Sequence, residues 1–207
     1  MSAREAILRA LASPIQADAA ALAREAAMLL AGNERPPLAA ESVTEAFLAN
    51  LSLPSIGATH DRIASMEQLP DAVARYLAGQ GEPARLYLPP DPRLDACDWS
   101  AVERLPTVPM DGGAALAIAV AAVAETGSLV LDTATTAPML PNFLALHHLI
   151  AIERARLVRW LEDVPLPSPP GPRQRTWVTG VSGTTDIEGQ YVRGAHGPRF
   201  LHVVLIG

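Results

Sequence analysis

The segment 116–132 constrains the fold more than any other part of the chain. It is nearly all apolar on both sides of Glu125-Thr126-Gly127-Ser128. Ser128-Leu129-Val130-Leu131 has no polar alternation, the pattern of a strand covered on both faces, as strands of a parallel sheet are. The run 114–124 is the longest apolar stretch and is too short to span a bilayer. Around this segment, short apolar runs alternate with helical patterns. Residues 56–60, 85–88 (stopped by Pro89-Pro90) and 146–152 read as strands, and Val108 starts another short one. Residues 66–77 read as a helix ending at Gly79, and 155–161 as a second helix. Thr133 to Thr136 and Leu140-Pro141-Asn142 read as a polar loop. Such alternation predicts an α/β domain with a largely parallel sheet.

Before residue 53 the texture is helical. Ile7, Leu8 and Leu11 form one apolar stripe, and Leu22, Ala26, Leu29 and Leu30 a second. Residues 32–37 break the pattern and 42–51 resume it. The sequence thus divides into an N-terminal helical extension, 1–52, and an α/β domain, 53–207. The proline-rich stretch 165–172 is a connection rather than a domain boundary, because the residues after it are too few to fold alone. The last strands are expected to rejoin the main sheet. Arg4 and Glu5 in a periodic N-terminus do not make a signal peptide, so a cytoplasmic protein is expected.

Composition excludes several chemistries. All 16 basic side chains are Arg, which rules out a Schiff-base, P-loop or pyridoxal lysine. Cys97 is the one cysteine, so an intrachain disulfide, a cysteine zinc ribbon and a four-cysteine iron–sulfur cluster are ruled out. Asp95 and Asp98 near Cys97 should raise its thiol pKa and make it a poor nucleophile. A net charge of −6 without acidic or basic blocks argues against a nucleic-acid surface. No metal-ligand spacing occurs among the five histidines, and no cofactor motif is present.

Two polar clusters remain as candidate sites. In the first, Glu125, Thr126, Gly127 and Ser128 interrupt the apolar segment, where a carboxylate is either at the mouth of a cleft or paired in a structural network. The second is the run 178–188, with Ser182, Thr184, Asp186 and Glu188, followed by Gly194-Ala195-His196-Gly197-Pro198. Thr185 to Glu188 fits a capping box at a helix start, and the amides of 183–186 would then suit a small anionic ligand. A well-capped turn without a ligand is the plain alternative. Asp186 and Glu188, two apart on a helix, would not act as a coupled dyad. Ser182 with His196 suggests a nucleophile and base but lacks the Gly-x-Ser-x-Gly elbow. Adjacent His147 and His148 should point to opposite faces of a strand, and His202 among apolar residues reads as structural. Glu125, Thr126, Ser182, Thr184, Asp186 and His196 are expected to converge on one cleft at the strand ends, where open α/β sheets bind ligands.

These motifs, in this order, resemble the lactate-utilization protein C family, whose members consist of an LUD domain. The resemblance rests on residues 124–131, Leu140-Pro141 with His148 downstream, 180–188 and 194–198. Where the family commonly has Gly-Pro-Ser followed by Arg, this chain has Gly180-Val181-Ser182-Gly183. The resemblance implies a three-layer α/β sandwich with a mostly parallel sheet, like that of glucosamine-phosphate deaminases, ribose-phosphate isomerases and CoA transferases. It also implies a non-redox subunit of an L-lactate-oxidising system, beside partner subunits that carry iron–sulfur clusters. The alternative is a free-standing enzyme acting on a phosphorylated or acyl small molecule.

Overall fold

The computed structural model describes residues 4–5, 8, 18–31, 35–109 and 112–207. The chain divides into two units, Met1–Pro36 and Pro37–Gly207. In the first, helix α1 (Ala19–Ala31) starts at Asp18, whose Oδ1 accepts a hydrogen bond from Ala20 N at 3.0 Å. Leu8, Leu22, Met28 and Leu29 are all exposed. Ile7 and Leu11, and the start of the break at 32–34, lie outside the described residues.

The second unit is built on a six-stranded sheet in the order β1-β12-β7-β4-β2-β3, every neighbouring pair parallel. Its strands are β1 (Ala58–Ile63), β2 (Arg85–Tyr87), β3 (Glu103–Leu105), β4 (Ala114–Ile118), β7 (His147–Glu153) and β12 (Phe200–Ile206). The C-terminal strand therefore enters the sheet interior, between β1 and β7. Residue alternation along these strands divides two cores. Leu149, Ala151, Val204 and Ile206 face one side, where helix α3 (Leu69–Gly79) covers them with Leu69, Val73, Tyr76 and Leu77. Those four recur at helical spacing, and Pro70 sits in the first turn, where its missing N–H costs nothing. Ile150, Ile152, Val203 and Leu205 face the other side.

That second side is covered by helix α2 (Val43–Leu51) and by a second sheet of order β8-β5-β6-β9. Ser42 caps α2 by accepting from Glu45 N, and Ala46, Phe47, Leu48 and Leu51 are buried in the core. The residues 43–51, read from the sequence with the N-terminal extension, are thus packed within the main unit. The second sheet comprises β5 (Ala121–Val123), β6 (Ser128–Asp132), β8 (Leu157–Val158) and β9 (Arg175–Val178). Helices, parallel sheet and second sheet make three layers.

Several local expectations are corrected. Residues 128–132 form a buried strand, but β6 is antiparallel to both β5 and β9. Its lack of alternation comes from being sandwiched between two apolar layers, since Leu129 and Leu131 face one core while Val130 faces another. Residues 155–161 are not a helix: a 3-10 turn at Arg154–Arg156 leads into the short β8. After the short helix α4 (Pro92–Asp95), Leu140-Pro141-Asn142 opens a further short helix, α5 (Leu140–Leu144), with Pro141 in its first turn. Val108 lies after β3, outside any strand. Among the described residues no helix is long and apolar enough to cross a membrane.

Candidate functional site

Glu125, Thr126 and Gly127 lie in the turn joining β5 to β6, and Ser128 is the first residue of β6. Gly127 has φ +69° and donates to Val123 O, and a Cβ there would press on Ile56 and Asn50 at 3.1–3.3 Å. Only glycine meets both conditions cheaply. Asn50 from α2 donates to the carbonyls of Ala124 and Glu125 at 2.6 and 3.0 Å. The Glu125 carboxylate accepts from Leu161 N at 3.2 Å. Thr126 Oγ1 and Ser128 Oγ are 2.7 Å apart, and Ser128 Oγ lies 2.6 Å from Thr179 Oγ1. This cluster joins the turn to Thr179, the residue that follows β9.

The run 182–193 is a β-hairpin, not a helix start. Strand β10 (Gly183–Thr185) pairs antiparallel with β11 (Tyr191–Arg193). Asp186 closes the turn: its Oδ1 accepts from Glu188 N at 2.9 Å and Gln190 N at 2.8 Å. A capping box needs a helix for the Thr and Glu to serve. Here Asp186 satisfies the turn amides instead, so the helix-terminus basis for an anion site at 183–186 is gone. Thr184, Asp186 and Glu188 belong to this hairpin.

The structure explains both departures from the family loop. Val181 N donates to Ile56 O at 3.0 Å, a bond proline lacks the hydrogen to make. At Gly183 any side chain would collide with the Tyr191 hydroxyl across the hairpin. An arginine at that place would require the exposed Tyr191 side chain to move aside.

Ser182, His196 and Gly197 do come together. Gly194 N donates to Ser182 O and Ser182 N to Pro198 O, each at 2.9 Å, which folds the 194–198 loop back onto Ser182. A Cβ on Gly197 would meet Ser182 Oγ at 3.1 Å, so the loop approaches closely. These residues line a cavity of about 210 Å³ at the amino ends of β7 and β12. Its other walls are Leu131 of β6, Trp177 and Val178 of β9, Asn142 and Phe143 of α5, and His148 and Leu201 of the main sheet. The sequence rule for open parallel sheets points to carboxyl ends. Here β9 and the α5 turn roof the amino ends instead.

His148 is the polar residue deepest in this cavity. It is 2% exposed, and its Nε2 has no hydrogen-bond partner. Burial pushes its pKa down to about 4, so the ring is neutral at physiological pH. His147 points to the opposite face, where Nδ1 lies 3.0 Å from the Tyr76 hydroxyl and Nε2 lies 3.6 Å from Glu82. The expected opposition of the pair is observed. His202 is also structural: Nδ1 lies 2.8 Å from Thr59 Oγ1 and the ring stacks on Tyr76 at 4.1 Å. No Asp, Glu or Arg lines the cavity among the described residues, and none of them forms a group of three or more His, Cys, Asp or Glu suited to a metal ion. At Cys97 the thiol pKa is raised by burial first and then by Glu67, rather than by the flanking aspartates.

Sequence reasoning reached His148 only through the family motif and missed Asn142, Phe143 and Trp177. A signal existed for Trp177, a large aromatic in a β-patterned run beside Thr176 and Thr179. Asn142 and Phe143 gave none, because the helix that presents them is a single turn.

Residues 113–206 match the family model of the LUD domain. This segment is similar to the LUD domain. It contains all four motifs that carried the resemblance. A lactate utilization protein C from Deinococcus radiodurans is 31% identical over 94 residues, which is 42% of this chain and 42% of that protein. The match thus spans less than half the relative's length. The crystal structure of a DUF162 family protein, also from Deinococcus radiodurans, superposes with a TM-score of 0.54 at 19% identity, over 83% of this chain and 100% of that one. At that identity the likeness speaks for the fold.

Proposed function

We propose that the protein serves lactate utilization as a cytoplasmic, non-redox subunit working beside iron–sulfur partner proteins, with the His148 cavity as its ligand site. The observation that carries this reading is the convergence of His148, Ser182, His196 and Gly197 on one cavity from three segments, all inside the LUD-matched residues 113–206. The relative with lactate utilization in its name supplies the pathway. A chain with one cysteine and no lysine leaves cluster-borne electron transfer to partners. Kinship with the deaminase, isomerase and CoA-transferase folds fits the same reading and is supported by the parallel sheet.

Within the cavity, each residue has a distinct capacity. His148 forms a buried, neutral wall of the cavity, Ser182 offers a hydroxyl that can donate or accept, and Asn142 an amide that can do both. His196 lines the cavity and is exposed to solvent. Deleting the gene should abolish growth on L-lactate as sole carbon source while leaving growth on pyruvate unchanged. A deletion strain that grows normally on L-lactate would contradict the reading.

A further inference from the structure

A second cavity, of about 170 Å³, lies where the connections of the main sheet part. After β2 the chain runs into α4, whose Leu94 packs on the α3 side, and goes on to β3 at the sheet edge. After β4 it turns the other way, through Ala119 on the opposite face, and returns as β7. Strands β2 and β4 are neighbours, so their carboxyl ends bound a crevice that the two connections leave on opposite faces. Open parallel sheets bind ligands at such switch points. Asp91 and Arg93 line the cavity from the β2 side, Leu116 and Ile118 from β4, and Asp132 and Asn142 from the layer above.

The charges here are balanced in pairs. The Asp91 side chain is 10% exposed and accepts from Arg93 N and Nε at Oδ1 (2.9 and 3.0 Å) and from Nη2 at Oδ2 (2.7 Å). Arg93 Nη1 lies 4.0 Å from Glu153 Oε1. Arg175 holds Asp132 with Nε and Nη2, both at 2.7 Å. A carboxylate has about four acceptor positions, and these bonds use three at Asp91 and two at Asp132, so both can accept more. Asn142 points to a guest independently. It is 7% exposed, its amide nitrogen meets Met139 Sδ at 3.5 Å, and its carbonyl oxygen has no partner among the described residues. The polar atoms sealed away without a partner are Thr133 Oγ1, His148 Nε2 and His202 Nε2. Asn142 Oδ1 is not one of them, so it stays within reach from the cavities it lines.

We infer that this cavity is a second ligand site and that it binds a small, uncharged polyol of pentitol size. Hydroxyls donate to the open positions of Asp91 and Asp132 and to Asn142 Oδ1, while the C–H faces of the guest lie on Leu116, Ile118 and Met139. The space is well below the roughly 300–1,000 Å³ of sites for drug-sized ligands, so the guest is small. An anion would face two carboxylates, with Arg93 already shared between Asp91 and Glu153. An ammonium would shed its hydration beside Arg93 for carboxylates that already have their counter-charges. The inference rests neither on the His148 cavity nor on lactate utilization.

The test is titration of the full chain at pH 7, followed by backbone-amide NMR, with ribitol, xylitol and arabinitol, and with ribonate and 1-amino-1-deoxyribitol as charged probes. At least one pentitol should bind, shifting the amides of Arg93, Ile118 and Asp132 rather than those of Val178, Ser182 and Gly197. Both charged probes should bind at least about tenfold more weakly than the best pentitol. Asp91→Asn keeps the shape of the side chain and a cap for α4 but frees Arg93 of a charged partner. It should weaken pentitol binding at least about tenfold and turn the preference toward ribonate. Asn142→Leu should weaken it by a similar factor without a fall in Tm, since it removes an amide oxygen left unpaired. No pentitol binding, a charged probe bound as tightly as the best pentitol, shifts confined to the Ser182 side, or unchanged affinity in Asp91→Asn would each overturn the inference.

Discussion

Acidification from pH 7 to pH 4.5 should remove several kcal/mol of stability, most of it through two histidines. His148 and His202 both have pKa values lowered to about 4, first by burial; for His202, Asp61 opposes the shift while His60 and Arg75 add to it. In the unfolded chain a histidine titrates near about 6.5. Between the two values the unfolded state holds more protons than the folded one, so stability falls as pH falls. The contribution is complete above about pH 6.5 and lost as pH approaches 4. A depression of this size is worth on the order of 3 kcal/mol per residue, about 1.4 kcal/mol per pH unit for each. Urea midpoints measured across this window should drop steeply, and the double variant His148→Leu, His202→Leu should flatten the slope. A midpoint that is level from pH 7 to 4.5 would show that these rings are not buried in the folded protein.

Gly180→Ala should be among the most damaging single methyl additions to this chain. Gly180 has φ +96°, and a Cβ there would stand 2.8 Å from Ile56 O and 3.0 Å from Ile56 Cα. Those are backbone atoms, and the same carbonyl holds Val181 N, so nothing flexible can yield. Strain and overpacking together should cost about 3 kcal/mol or more, which lowers Tm by roughly 6–12 °C in a chain of this size. Gly189 isolates the backbone part, because it has φ +80° with no atom within 4 Å of a built Cβ. Gly189→Ala should cost only about 1 kcal/mol. Equal Tm values for the two variants would show that the contact of Gly180 with Ile56 is not fixed.

The regular parts of this fold were legible in the sequence, because their physics is local. The apolar stretch ending at Ile152, the final run to Ile206 and the helix ending at Gly79 all stand close to where pattern alone puts them. The second sheet was not legible. Residues 128–131 give the same unbroken apolar signal whether a strand is parallel in a central sheet or antiparallel between two layers, and β8 has only two residues. Thr185 to Glu188 misled because Asp186 serves a hairpin turn as readily as a helix start. Of the candidate site, Ser182, His196 and Gly197 could be read as polar punctuation near the C-terminus. Their meeting with His148 and Trp177 depends on β12 inserting beside β7 and on β9 crossing β6, long-range pairings that no local pattern encodes. Glu125, set in the turn by Leu161 N, shows the reverse case: a carboxylate in apolar sequence that the fold brings to a half-buried turn.

The account turns on the His148 cavity being the working site, and the two buried histidines supply a matched comparison. Both sit in the main sheet with an unpartnered Nε2, but only His148 lines the cavity. The decisive measurement is growth on L-lactate of the deletion strain carrying His148→Leu or His202→Leu, each expressed to wild-type level. The account predicts that His202→Leu restores growth and His148→Leu does not. Restoration by both, or failure of both, would contradict it.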